Sequence, residues 1–269
     1  HFTARAYGFL LLDLDVNIFP ALADCYALTG DRRYAHIAAV LFDQLAPTYA
    51  GNEWGPIDWP NHSGRLNNTA YMTSRSMMNF VLCFDMILDS GELAKPSATL
   101  PGATIFDNAA RNIFWNGALY NLAFVRSENV LSNGDADHFR APIAVGLMFN
   151  RPKLAELFTT PGNGFADFLA NSTDRNGLYF ESSHMYSSHC FELYRTIADL
   201  CESAVRQKWP GWKSYYGDPV LMTGLFRYFD RVEISGRVPE TGDIGIGSAA
   251  DTVGQPEKRF PVVSMAQTQ

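Results

Sequence analysis

"RRYAHIAAVLFDQLAPTY", residues 32–49, sets apolar side chains three and four positions apart, the spacing of one buried helix face. Residues 7–28 carry the same signature and read as one or two helices, stopped by Thr29-Gly30-Asp31. Downstream it returns in "NNTAYMTSRSMMNFVLCFDMILDSG" (67–91), "TIFDNAARNIFWNGALYNLAFV" (104–125), "KLAELFTTPGNGFADFLANSTD" (153–174), "SHCFELYRTIADLCESAVRQK" (188–208) and "PVLMTGLFRYFDRVEIS" (219–235). Glycine- and proline-rich loops separate these runs, notably "GNEWGPIDWPNHSG" (51–64), residues 95–104 and "WPGWKSYYGD" (209–218). The two-residue alternation of strands is nearly absent. The expectation is an all-α protein of helical hairpins, each burying its apolar face against the next, as in an α-solenoid or a closed α/α toroid. No fixed repeat length appears, which disfavours tetratricopeptide- and ankyrin-like arrays.

Apolar residues make up 47% and charged residues 18%, the composition of a soluble globular chain, and 269 residues are enough for a substantial core. A formal charge of −7 and a pI near 5.3 argue against nucleic acid as partner, because phosphate binding needs a basic face. They also tilt against strongly sulfated polyanions. No apolar run approaches a membrane span. Cys25, Cys83, Cys190 and Cys201 show no CxxC pair and no zinc spacing, so they read as small buried hydrophobes. His36, on an apolar helix, reads as a core histidine. "GDIGIGS" (242–248) is not a phosphate loop, because no strand precedes it and no helix follows.

Two polar islands interrupt the helices. "SNGDADHFR" (132–140), which overlaps the polar gap 126–139, holds Asn133, Asp135, Asp137, His138 and Arg140. "DRNGLYFESSHMYSSH" (174–189) holds Arg175, Glu181, His184, Tyr186 and His189 at the junction of a turn and a helix. On that helix Tyr186 and His189 are three apart and share a face. Trp59, His62 and Arg75 lie in or near the 51–64 loop, where they could line a cleft, although for each a structural role is the simpler reading.

"DRNGLYFESSHMY" (174–186) resembles the D-x-D-G-S-[FY]-x-E-x-S-x-x-Y segment of the heparinase II/III-like polysaccharide lyases, a group that includes oligoalginate lyases. The resemblance extends over about residues 105–248. It implies an incomplete α/α toroid over residues 1–244, with Tyr186 on the family's catalytic tyrosine, Glu181 on its glutamate and Ser183 on its serine. "LSNGDADHFRAPIAVGLMF" (131–149) is similar to the upstream island whose asparagine, here Asn133, neutralises the substrate carboxylate. "GRVPETGDIGIGS" (236–248) resembles the junction at which the toroid meets a β-sandwich, which makes 245–269 a linker or the start of that domain. Three positions depart from the pattern: Gly134 replaces the histidine after the asparagine, Ser187 the residue after the tyrosine, and Asn176 an aspartate.

The implied chemistry is β-elimination from a uronic acid. The C5 proton becomes abstractable once the carboxylate is neutralised, which an amide such as Asn133 does by hydrogen bonding. Tyr186, a phenol with an ordinary pKa of about 10, protonates the departing O4, and cationic neighbours would let it act as base as well. With Gly134 in place of the histidine, the base is His138, His189, Tyr186 itself or a histidine brought by the β-sandwich domain. Arg175, Arg140, His184, Glu181, Arg75 and Trp59 are the expected substrate contacts, with Arg175 and Arg140 also supplying positive potential. The reaction needs no cofactor and no metal. The expected partner is a uronate-containing polysaccharide or oligosaccharide, alginate-like or glycosaminoglycan-like, with alginate-like and other unsulfated uronates favoured over heparin, and the expected setting is secreted or periplasmic. Two rival readings stand beside it. One is an α/α-toroid glycoside hydrolase with Asp135, Asp137 and Glu181 as its carboxylates; the other is a non-catalytic glycan-binding toroid.

Overall fold

The computed structural model describes residues 13–51, 70–127, 133–159, 164–173, 179–180 and 184–216. Among the described residues every regular element is helical. The expected helix 219–235, residues 52–64 of the expected loop, residues 7–12 and the tail 245–269 lie outside them. The chain forms two compact units, His1–Val130 with Asp137–Phe158, and Leu131–Ala136 with Thr159–Gln269.

In the first unit a π-helical turn, Leu14–Ile18, runs into α1 (Phe19–Thr29). The expected stop is a C-cap: Gly30 takes φ +66°, which a residue without Cβ adopts cheaply, and donates its N–H to Tyr26 O at 2.7 Å. Asp31 then accepts from Arg33 N at 2.9 Å, satisfying a donor at the start of α2 (Arg32–Gly51). α1 packs against α2 and against α3 (Ala70–Met86). A continuous rod follows, made of α4 (Ile105–Ala109), a π-helical segment (Ala110–Trp115) and α5 (Asn116–Ser127). Its start is a capping box in which Asp107 N donates to Thr104 Oγ1 at 3.1 Å and Thr104 N donates back to the Asp107 carboxylate.

The three-and-four pattern of α2 buries Ala35, Ala38, Ala39, Phe42, Leu45, Ala46 and Tyr49. Phe42 is the hub of an aromatic core: its ring centroid lies 4.3 Å from Phe19, 5.2 Å from Phe84 and 6.1 Å from both Phe80 and Phe114. His36 falls on the other side of the same helix, which corrects the reading of it as a core histidine. Its side chain is 54% exposed, and it meets Glu92 Oε2 at 2.8 Å, an oxygen that Lys95 also reaches at 2.5 Å.

Pro47 sits inside α2 and cannot donate to the carbonyl four residues back, that of Asp43. The proline-rich loop fills the gap: Thr99 Oγ1 donates to Asp43 O at 2.9 Å. The buried Asp43 carboxylate collects Ser97 Oγ at 2.5 Å, Ala98 N at 2.8 Å and Asn108 Nδ2 at 2.8 Å. Burial of this carboxyl works to raise its pKa, but those hydrogen bonds outweigh burial and hold it below the usual aspartate range. A carboxyl so depressed stabilises the fold above its unfolded pKa, about 3.9, and that contribution is lost as pH falls through the lower folded value. Acid denaturation of Asp43→Asn should therefore show a weaker loss of stability below about pH 4 than the parent, read from urea midpoints across pH. An equal slope in both proteins would refute this.

The polar gap behaves differently from its composition. α6 (Asn133–Met148) begins within it, so most of the first polar island is helical rather than loop. Ala136, Phe139, Ala141 and Ile143 bury along α6, and Asp137 and His138 bury with them because partners on other helices satisfy them. After α6 comes α7 (Pro152–Glu156). The two helices approach so closely that a Cβ at Gly146 would lie 2.9 Å from Ala155 Cβ and 3.2 Å from both Ala155 N and Arg151 O. Gly146→Ala is expected to cost about 1–3 kcal/mol by overpacking, despite alanine's better helix propensity. An unchanged denaturation midpoint would show that the contact yields.

In the second unit α8 (Phe165–Ser172) packs on α9 (His184–Arg206). The Tyr194 ring lies 5.7 Å from both Phe165 and Phe168, and its hydroxyl meets Ser172 Oγ at 2.9 Å. α9 buries Cys190, Phe191, Leu193, Tyr194, Ile197, Ala198, Cys201 and Ala204, a regular amphipathic stripe. Cys190 and Cys201 stand eleven residues apart on this one helix, roughly 16 Å at the α-helical rise, which forbids a bridge between them. All four cysteines are free thiols.

Candidate functional site

α6 places the part of the first island from Asp137 onward in the interior of the first unit. The Asp137 side chain is fully buried and receives two guanidinium groups. Arg75, on α3, places Nη2 at 2.8 Å and Nε at 3.0 Å from Oδ2, while Arg140, one turn along α6, places Nη2 at 3.0 Å from Oδ1. Ser74 Oγ adds a bond to the Asp137 backbone carbonyl. Asp15, from the π-helical turn, completes the cluster. Its carboxylate accepts Ser76 Oγ at 2.7 Å and Asn79 Nδ2 at 2.9 Å. Burial pushes the Asp15 pKa up, against those two bonds and the charge of Arg140. Burial likewise lowers the pKa of Arg140, against the charge of Asp137.

His138 is 1% exposed and stacks on Phe124 at 4.3 Å. The Asn121 amide nitrogen donates to Gly117 O at 2.8 Å, which turns its oxygen toward His138. His138 Nδ1 lies 2.5 Å from that oxygen, so Nδ1 carries the proton and donates, and the basic lone pair belongs to Nε2.

The second island lies at the start of α9. An isolated bridge pairs Thr173 with Tyr179, and Phe180 N donates to Ser172 O at 2.9 Å, ahead of the helix. Tyr186 and His189 are both half-buried, three residues apart on one helical face, with Ser187 buried between them. His184 opens this helix as Asn133 opens α6. Leu131–Ala136 belongs to the same unit as Thr159–Gln269, so Asn133 and Tyr186 share one unit. Arg175, Glu181 and Trp59 lie outside the described residues. The structure thus brings Arg75, Asp137 and Arg140 together in one unit with His138 buried nearby in sequence, and places Asn133, Tyr186 and His189 in the other.

Asp15, Ser76, Asn79 and Asn121 were not singled out from sequence. The one available signal was an acid inside the apolar run "LLDLDVNIF" (11–19). Among the described residues no group of three or more His, Cys, Asp or Glu side chains could hold a metal ion, and no helix is long and apolar enough to cross a membrane.

Set against known proteins, the chain matches no family model and no curated sequence. The functional reading therefore rests on its own residues.

Proposed function

We propose that the chain is the helical, toroidal part of a polysaccharide lyase that cleaves uronate-containing glycans by β-elimination. The observation that supports this reading is that one compact unit holds both Asn133 and Tyr186. They are 53 positions apart in sequence, each stands in the first turn of a helix, and both belong to one compact unit, with Tyr186 half-buried rather than sealed in the core. Asn133 donates hydrogen bonds to the uronate carboxylate. His189, one turn from Tyr186 on the same face, takes the C5 proton. The electrons left on C5 form the C4–C5 double bond as the C4–O4 bond breaks, and the Tyr186 phenol protonates O4.

His189 is preferred to His138 as base because the His138 ring lies under Phe124 at 1% exposure. The hydrolase alternative loses one of its carboxylates, since Asp137 is committed to two guanidinium groups. A polymeric substrate points to a secreted or periplasmic setting, and the acidic chain favours unsulfated uronates. Incubation with alginate and with an unsulfated glucuronan decides the matter through the ultraviolet absorbance of the unsaturated product. A rise supports elimination; new reducing ends without a rise establish hydrolysis instead.

A further inference from the structure

The aromatic core of the first unit reaches the surface around Phe149, the residue after α6. Its ring centroid lies 5.6 Å from Phe114 and 6.3 Å from Phe84, both fully buried. The same ring meets Trp115 at 5.4 Å and 35°, and Phe106 at 5.5 Å and 67°. Phe106, Trp115 and Phe149 are all half-buried, so part of each ring is open while the core beneath holds it in place. No acceptor among the described residues meets the Trp115 indole N–H.

Two arginines flank these rings. Arg111 precedes Trp115 by four residues on the π-helical segment, whose i→i+5 hydrogen bonding brings residues four and five apart onto one side. Arg151 follows Phe149 by two residues, at the start of α7. Both are exposed, and among the described residues neither guanidinium enters an ion pair or a hydrogen bond. The acid best placed to neutralise Arg111 is Asp107, one turn before it. Its carboxylate is turned into the capping box instead, where Thr104 Oγ1 donates to it at 2.7 Å. Two unpaired cations beside open rings are thus a local exception on a chain of net charge −7. An aromatic ring favours a flat apolar partner, and a guanidinium fork favours a carboxylate. A uronic acid ring offers both, with C–H groups on a face and a carboxylate at the edge. Rings already fixed by Phe84 and Phe114 lose little freedom when such a partner arrives.

We propose that Trp115 and Phe149, with Arg111 and Arg151, form a surface subsite for a uronic acid residue in the first unit, whereas Asn133 and Tyr186 belong to the second. The choice of a uronate over other ring-bearing anions rests on the lyase reading; the site itself rests on the geometry of the first unit alone.

Calorimetric titration of the full chain tests it, with Tyr186→Phe as the parent so that no turnover intrudes. The probes are a mannuronate oligosaccharide, the same oligosaccharide with its carboxyls reduced, and oligothymidylate. Arg111→Gln combined with Arg151→Gln removes two exposed, unpaired charges and leaves the packing alone. That protein should bind mannuronate about tenfold more weakly and the reduced oligosaccharide as the parent does. Trp115→Leu keeps apolar bulk against Phe149 but loses the broad ring, and should weaken both oligosaccharides by about three- to tenfold. Parental mannuronate binding in the double variant, parental binding of both sugars in Trp115→Leu, or a parent that binds no mannuronate would each overturn the site. So would a parent that binds oligothymidylate more tightly than mannuronate. The lyase reading is judged separately, from the product absorbance of the chain with Tyr186 intact. Binding lost in these variants without any cleavage leaves the site standing and removes the lyase; cleavage with unaltered binding in all of them removes the site alone.

Discussion

Tyr186→Phe is expected, on the lyase proposal, to lower kcat on a uronate polymer by about 10²–10⁴-fold, the usual contribution of a positioned proton donor. The phenylalanine keeps the ring, which is half-buried on α9, and removes only the hydroxyl. Folding and substrate Kd should therefore stay near parental values while turnover falls. His189→Ala should lower kcat over a similar range if His189 takes the C5 proton. Loss of turnover in Tyr186→Phe together with full activity in His189→Ala would assign both proton transfers to the phenol. Parental turnover in Tyr186→Phe would end the lyase proposal outright.

Phe42→Ala is expected to destabilise the first unit by about 3–5 kcal/mol, the range for emptying a large aromatic site in a packed core. Phe42 is fully buried and contacts rings from α1, α3 and the π-helical segment, among them Phe19 at 4.3 Å and Phe84 at 5.2 Å. Those neighbours come from separate helices and cannot all move into one cavity. Leu28→Ala is the matched control: Leu28 is 86% exposed, and its truncation should stay within about 0.5 kcal/mol. Urea denaturation of the two variants gives the comparison. A Phe42→Ala protein as stable as Leu28→Ala would mean that the aromatic cluster is not the centre of this unit.

Individual residues show how far the fold was readable. In α2 every third or fourth residue from Ala35 to Tyr49 is apolar, and that face is the one buried. Thr29-Gly30-Asp31 marked a helix end because its effects are local: a left-handed glycine and an aspartate cap satisfy backbone groups within a few residues of themselves. The first polar island misled for the opposite reason. Asp137 and His138 look like loop or surface residues by type, yet they bury in α6 because Arg75 and Asn121 meet them there from positions 62 and 17 residues away. His36 was misplaced by its apolar neighbours. A shift of one residue along a helix turns a side chain by about 100°, enough to move it from the core to the surface.

Amphipathic helices, and the places where several of them stop, were legible from residue order alone, because periodicity, capping and glycine's conformational freedom act over one or two turns. Residue order also set apart two islands of polar and ionisable residues. How those residues pair with one another emerged with the folded chain. It committed Asp137 to two arginines, placed the proton of His138 on Nδ1 against Asn121, and brought the unremarked Asp15 beside Arg140. Those pairings cross long stretches of chain, and a buried charge is stable only beside partners that folding brings to it.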